Sequence, residues 1–185
     1  MSNRYITSHF PLISILIFSL TFALYTQSFI LTQLVELGVY EGMREFFSEN
    51  GIKLTLLFLL MLFFFMVFSA LKLIADTTVE LSMLFFSRDE EGIELNKIRI
   101  GSAIFMALSI ASLALTHDIL YLIAIFVAAC FIYFIYFVYK VSDSLSVLGL
   151  IGLIFFHVIF WSTFLIAVTY ALVKLYNSFI ASLPI

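Results

Sequence analysis

Residues 54–81 read "LTLLFLLMLFFFMVFSALKLIADTTVEL". The run is uncharged through Ala70 and then carries Lys72, Asp76 and Glu80 at four-residue spacing. No Gly or Pro interrupts Ile52 to Phe86, so the stretch reads as one helix of about 52 Å at 1.5 Å per residue. That exceeds the roughly 30 Å of hydrocarbon in a bilayer. The apolar part, about 52–72, is a membrane span, and the charged part is its extension on the inner side to about residue 86. At 100° per residue Lys72, Asp76 and Glu80 fall within an arc of about 80°. The favoured reading is a partly interfacial helix with this charged stripe turned to water. The alternative is a stripe that lines an inner cavity.

The rest of the chain extends the same argument. Of 185 residues, 64% are hydrophobic and only 11% charged, and 23 are phenylalanine. A soluble domain needs about 25% charged residues to solvate its surface, so the chain is expected to be an all-α polytopic membrane protein, a single helical domain over residues 1–185. Five spans are drawn at about 10–34, 52–72, 97–116, 119–140 and 146–173. Arg4 gives a thin positive start, but the apolar run from Phe10 to Val35 exceeds the 7–15 residues of a signal peptide core; it reads as a retained first span. The loop "ELGVYEGMREFFSENG" suits a short interfacial helix with Asn50-Gly51 as a helix stop. "THD" forces a hairpin between the third and fourth spans, with Asp118 as N-cap. Arg4, Lys72, Arg88, Lys97, Arg99 and Lys140 would lie inside, against Arg44, Lys53 and Lys174 outside, which favours N-terminus in and C-terminus out. No internal repeat is present.

His157, in "LIFFHVIFWSTF", is the residue that most invites a function, because an ionisable side chain in mid-span is costly. Nothing on its own helix face can satisfy it, so the expected partner belongs to another helix; a neutral imidazole hydrogen-bonded across the bundle is the favoured reading, and a proton-binding or gating role, open to a group that titrates near physiological pH, is the alternative. Ser14, Thr21, Tyr25, Ser28 and Thr32 form a polar stripe within about 60° on the first span, suited to helix contacts or to a solute path. Gln27 and Gln33 lie off it. Ala103, Ala107, Ala111 and Ala114 form one small-residue strip. Gly149, Gly152, Thr163 and Ala167 form another, and both mark close helix approach. The tyrosines of "FIYFIYFVYK" with Lys140 fit an interfacial belt, and Cys130 reads as a packed, unreactive thiol.

Several classes are excluded. The net charge of −3 comes with no basic cluster, so no nucleic-acid partner is expected. "SRDEEGIELNK" lacks the alternating ligands of a calcium loop, and no histidine or cysteine stands at metal-ligand spacing. HExxH, GxSxG, Walker and intramembrane carboxylate-pair patterns are missing. Neither an enzyme, a cofactor nor a metal is expected.

"YITSHFPLISILIFSL", "ALKLIADTTVELSMLFFS" and "VKLYNSFIASLPI" together resemble the YufK-like family of small multi-pass membrane proteins from Bacillus-type bacteria. The resemblance covers the full length and implies a bacterial plasma membrane location; it carries over no site residue. The residues themselves support a homodimer in the lipid bilayer that encloses a pathway for a small solute or ion and changes conformation with pH, with His157 as sensor. A non-transporting interaction or regulatory subunit is the competing expectation.

Overall fold

The computed structural model describes residues 4–87 and 98–182. Arg88, Lys97 and the acidic segment between them therefore lie outside the described residues. The described chain is helical: α1 is Arg4–Glu36, α2 Val39–Arg44, α3 Glu49–Phe86, α4 Ser102–Ser112, α5 Ile119–Val141 and α6 Val147–Ser182. Single 3-10 turns, Arg99–Gly101 and Leu113–Leu115, flank α4.

Among the described residues four helices, not five, are long and apolar enough to cross a membrane: Ser8–Glu36, Glu49–Phe86, Ile119–Ser144 and Val147–Ser182. The span expected at 97–116 is a shorter apolar helix over Arg99–Leu115. Its α-helical part is 11 residues, and with both 3-10 turns it measures about 28 Å. That is just short of the hydrocarbon thickness.

Local chemistry sets the boundaries. α1 ends where Gly38 takes φ 71, with Leu37 donating to the Gln33 carbonyl and Gly38 to the Val35 carbonyl, a left-handed stop open to glycine at little cost. Asn50-Gly51 is not a stop. Ser48 is the N-cap of α3, its hydroxyl accepting from the Gly51 N–H at 3.1 Å, so both residues fall in the first turn. Asp118 caps α5 by accepting from the Leu120 N–H at 2.8 Å. α3 continues unbroken through Lys72, Asp76 and Glu80 to Phe86, about 57 Å in all.

α1 packs on α3 and α4, α4 on α5, and α3 on α6. One core is aromatic: Phe18, Phe22, Phe68 and Leu122, with Phe64 and Phe126 against them. The second gathers Met83, Ile98, Phe137, Val141 and Leu153 where α3 and α5 end and α6 begins. There Ser87 and Leu145 pair in an isolated antiparallel bridge. Gly149 and Gly152 bring α6 onto Phe86 of α3, but Thr163 and Ala167 of the same strip are exposed.

The alanine strip does not make the α1–α4 contact. Ala107, Ala111 and Ala114 are exposed, whereas Ser109 and Ser112 are fully buried, with Thr21 of α1 opposite Ser112. Each of these three hydroxyls donates to a carbonyl of its own helix, which removes the penalty for burying it.

Candidate functional site

Between the two cores lies a cavity of about 770 Å³, walled by α1, α3, the start of α4, α5 and α6. Ser8, Glu80 and Arg99 are exposed at one side of it. Phe18 and Phe68, both buried, close it toward the aromatic core. The space is therefore charged at its rim and aromatic at its floor.

Lys72, Asp76 and Glu80 all line it, so the stripe on α3 faces a cavity and not open water alone. Their spacing explains the local electrostatics. The Lys72 ammonium donates to both oxygens of the Asp76 carboxylate, an i, i+4 pair in the favourable range for helices. Both side chains stay partly exposed, at 39% and 49%, so the pair adds only a few tenths of a kcal/mol. It nevertheless cancels two of the charges on the wall. Glu80, one turn further on, makes no ion pair among the described residues.

His157 lines the same cavity from α6 and is 3% exposed. Its partner is not on another helix: Nδ1 lies 3.0 Å from the Leu153 carbonyl one turn earlier on α6. A carbonyl can only accept, so Nδ1 carries the proton. Nε2 of the neutral ring is then a bare acceptor. That atom is buried with no hydrogen-bond partner among the described residues. The imidazole lies against Phe134 and Phe137 of α5, with centroids 5.4 and 5.5 Å away, and Phe156 at 5.8 Å. No carboxylate touches it, and no group of three metal-ligating side chains occurs among the described residues.

The polar stripe of α1 divides. Ser14 is on the cavity wall, its hydroxyl bonding back to the Phe10 and Pro11 carbonyls at 2.8 and 2.9 Å. Thr21 is buried in the helix contact, 3.3 Å from the Ser112 hydroxyl. Tyr25 packs on the aromatic core. Ser28 and Thr32 are exposed, and Thr32 donates to the Ser28 carbonyl. No continuous polar lane runs along α1, because α1 outlasts the α4–α5 hairpin and beyond Tyr25 meets mainly α3. There Gln27 ties the pair together by donating to the Lys53 carbonyl at 2.6 Å.

Arg99, Ser102, Tyr133, Trp161 and Cys130 also line the cavity, and the sequence did not mark them as site residues. Trp161 carried a signal: it is one turn from His157 on the same face. Cys130 is exposed, not packed away. Since Phe134 meets His157 and α5 and α6 run in opposite directions, Cys130 and Trp161 fall at neighbouring levels one turn further along.

The family of unknown function DUF5366 matches residues 27–184. The uncharacterized membrane protein YufK of Bacillus subtilis (strain 168) is 43% identical over 185 residues, covering 100% of both chains. No solved structure matches.

Proposed function

The chain belongs to the family of unknown function DUF5366, and from that premise we propose that this multi-pass bacterial membrane protein takes a small solute into a vestibule open at one end of the bundle. The single observation that carries this reading is the cavity of about 770 Å³ lined by Ser14, Lys72, Asp76, Glu80 and His157. Its volume falls within the roughly 300–1,000 Å³ of small-molecule sites, and it joins apolar walls to a few polar groups, as such sites do. The Phe18, Phe68 and Phe126 floor makes this conformation a closed-ended one. Passage of a solute requires those rings to part, and a regulatory subunit that only binds would keep them shut.

In this reading α4, though shorter than the four long helices, carries the chain back across the membrane beside α1, so the cavity rim and the start of α1 face the cytoplasm and the end of α6 faces outward. Lys72, Arg99 and Lys140 fall at the rim end. The functional unit is a homodimer: every residue of α6 from Leu165 to Ser182 is exposed, which leaves that half of the helix for a second copy. Acidification shifts the conformation through His157. A second ring proton would sit on Nε2 facing Phe134 and Phe137, with Lys72, Asp76 and Glu80 of α3, Arg99 before α4, and Cys130 and Tyr133 of α5 around the same cavity. A buried cation there favours the state that brings water to it.

Cysteine labelling in sealed membranes tests the vestibule. In a Cys130→Ser background, Ala75→Cys and Ser102→Cys should react with an impermeant maleimide. Thr21→Cys should resist it, and acidification over roughly pH 5–8 should raise the labelling rate relative to that of the same cysteine in a His157→Gln background at each pH, a ratio from which the falling thiolate fraction cancels. Ala75→Cys and Ser102→Cys as protected as Thr21→Cys would overturn the reading.

A further inference from the structure

His157 lines the cavity, and its Nε2 is a lone-pair acceptor buried behind the rings packed on it, with no donor among the described residues. A buried polar atom left in this way is costly, and native structures keep few of them. Water is a poor solution here. A buried water makes about three hydrogen bonds, but the neighbours of this ring are Phe134, Phe137 and Phe156, which offer none. The environment suits a donor that arrives attached to an apolar body.

We infer that the cavity binds a hydroxyl-bearing amphiphile, whose O–H donates to His157 Nε2 once the Phe134 and Phe137 rings packed on the imidazole give way, while its apolar body lies along Phe126 and Trp161. The inference rests on the vestibule reading and names its ligand class. Three features agree on it. The tautomer set by the Leu153 carbonyl makes Nε2 selective for donors over acceptors such as ethers and ketones. The aromatic walls and floor take an alkyl or ring body. The Lys72–Asp76 pair cancels its own charge and Glu80 and Arg99 stand exposed at the rim, so the aromatic inner part accepts a neutral amphiphile.

Trp161 is the sole tryptophan of the chain and lines the cavity, so a brominated ligand reports its own binding by quenching. The probes are bromoundecanol and its methyl ether, which differ only in the donor, titrated into the reconstituted protein at matched membrane concentrations. The alcohol should quench Trp161 saturably with about tenfold higher affinity than the ether, the value of one neutral hydrogen bond. In His157→Phe that preference should vanish. In the unmodified protein the alcohol should also slow N-ethylmaleimide reaction at Cys130 several-fold more than the ether does, a readout that does not depend on the variant folding. Equal quenching by the two probes, quenching that never saturates, or a preference that persists in His157→Phe would each overturn the inference. Loss of the alcohol preference with Ala75→Cys and Ser102→Cys still reactive removes the ligand class alone; protection of those positions removes the vestibule as well.

Discussion

Replacing Gly149 with Ala should weaken the attachment of α6 to the rest of the protein. A Cβ at this position would lie 2.9 Å from the backbone carbonyl oxygen of Phe86 and 3.2 Å from the Ser146 hydroxyl. An ordinary contact needs roughly another 0.5 Å, and the Phe86 carbonyl cannot retreat alone because it ends α3. Ser146 is held too, since its hydroxyl accepts from the Gly149 N–H at 3.1 Å. Overpacking of this kind costs about 1–3 kcal/mol. Alanine returns about 0.5–1 kcal/mol over glycine inside a helix, so the net loss should be about 1–2 kcal/mol. The control is Gly42→Ala in α2, where a Cβ meets nothing within 4 Å; it should gain up to about 1 kcal/mol. Unfolding in mixed micelles, followed by Trp161 fluorescence, reads both, because Trp161 is on α6 itself. Gly149→Ala as stable as the unmodified protein, with Gly42→Ala behaving as expected, would refute the close approach of α6 to the end of α3.

Two further substitutions test other joints. Phe68→Ala removes the ring that lies 5.0–5.9 Å from Phe126, Phe22 and Phe18; by the same unfolding measurement it should cost about 3 kcal/mol through the void it leaves, and a loss under half of that would mean the aromatic core is loosely packed. Asp118→Ala removes the α5 cap at Leu120 and should cost about 1 kcal/mol, with Asp118→Asn restoring most of it because its amide oxygen can accept the same bond; equal losses in both would assign the effect to charge.

Much of the architecture was legible because a bilayer imposes simple rules. The apolar runs gave the helical class, the lack of Gly or Pro from Ile52 to Phe86 gave one long α3, and a short link with Asp118 gave the cap of α5. The span at 97–116 misled because hydropathy does not register the 3-10 turns that confine α4 to Ser102–Ser112. The face of α4 was misassigned for a related reason. Alanine and serine are both small, but serine can satisfy its hydroxyl on its own helix, so the serine face is the one that turns inward. His157 followed the same logic, using the Leu153 carbonyl where a cross-helix partner was expected. The stripe on α1 was sound as periodicity, yet a helical wheel cannot say how far the neighbouring helices extend. Ser14 and Thr21 have neighbours on that side, and Ser28 and Thr32 do not.

The hydroxyl seam between α1 and α4 has a mechanical side. Thr21, Ser109 and Ser112 each spend their proton on their own helix, and among the described residues the two sides share one hydroxyl contact, Thr21 to Ser112. One surface can thus slip along the other with almost no hydrogen bond to break. The seat of α6 on Phe86 is the opposite kind of joint, notched at Gly149 and Gly152 and unable to slide without collision. The cavity lies between a smooth bearing and a fixed hinge pin. Of the two joints the α1–α4 seam yields first, and a shift of α1 would move Pro11, Ser14 and the Phe18 part of the floor together, against the Gln27 bond and the Phe22 ring that hold α1 to α3.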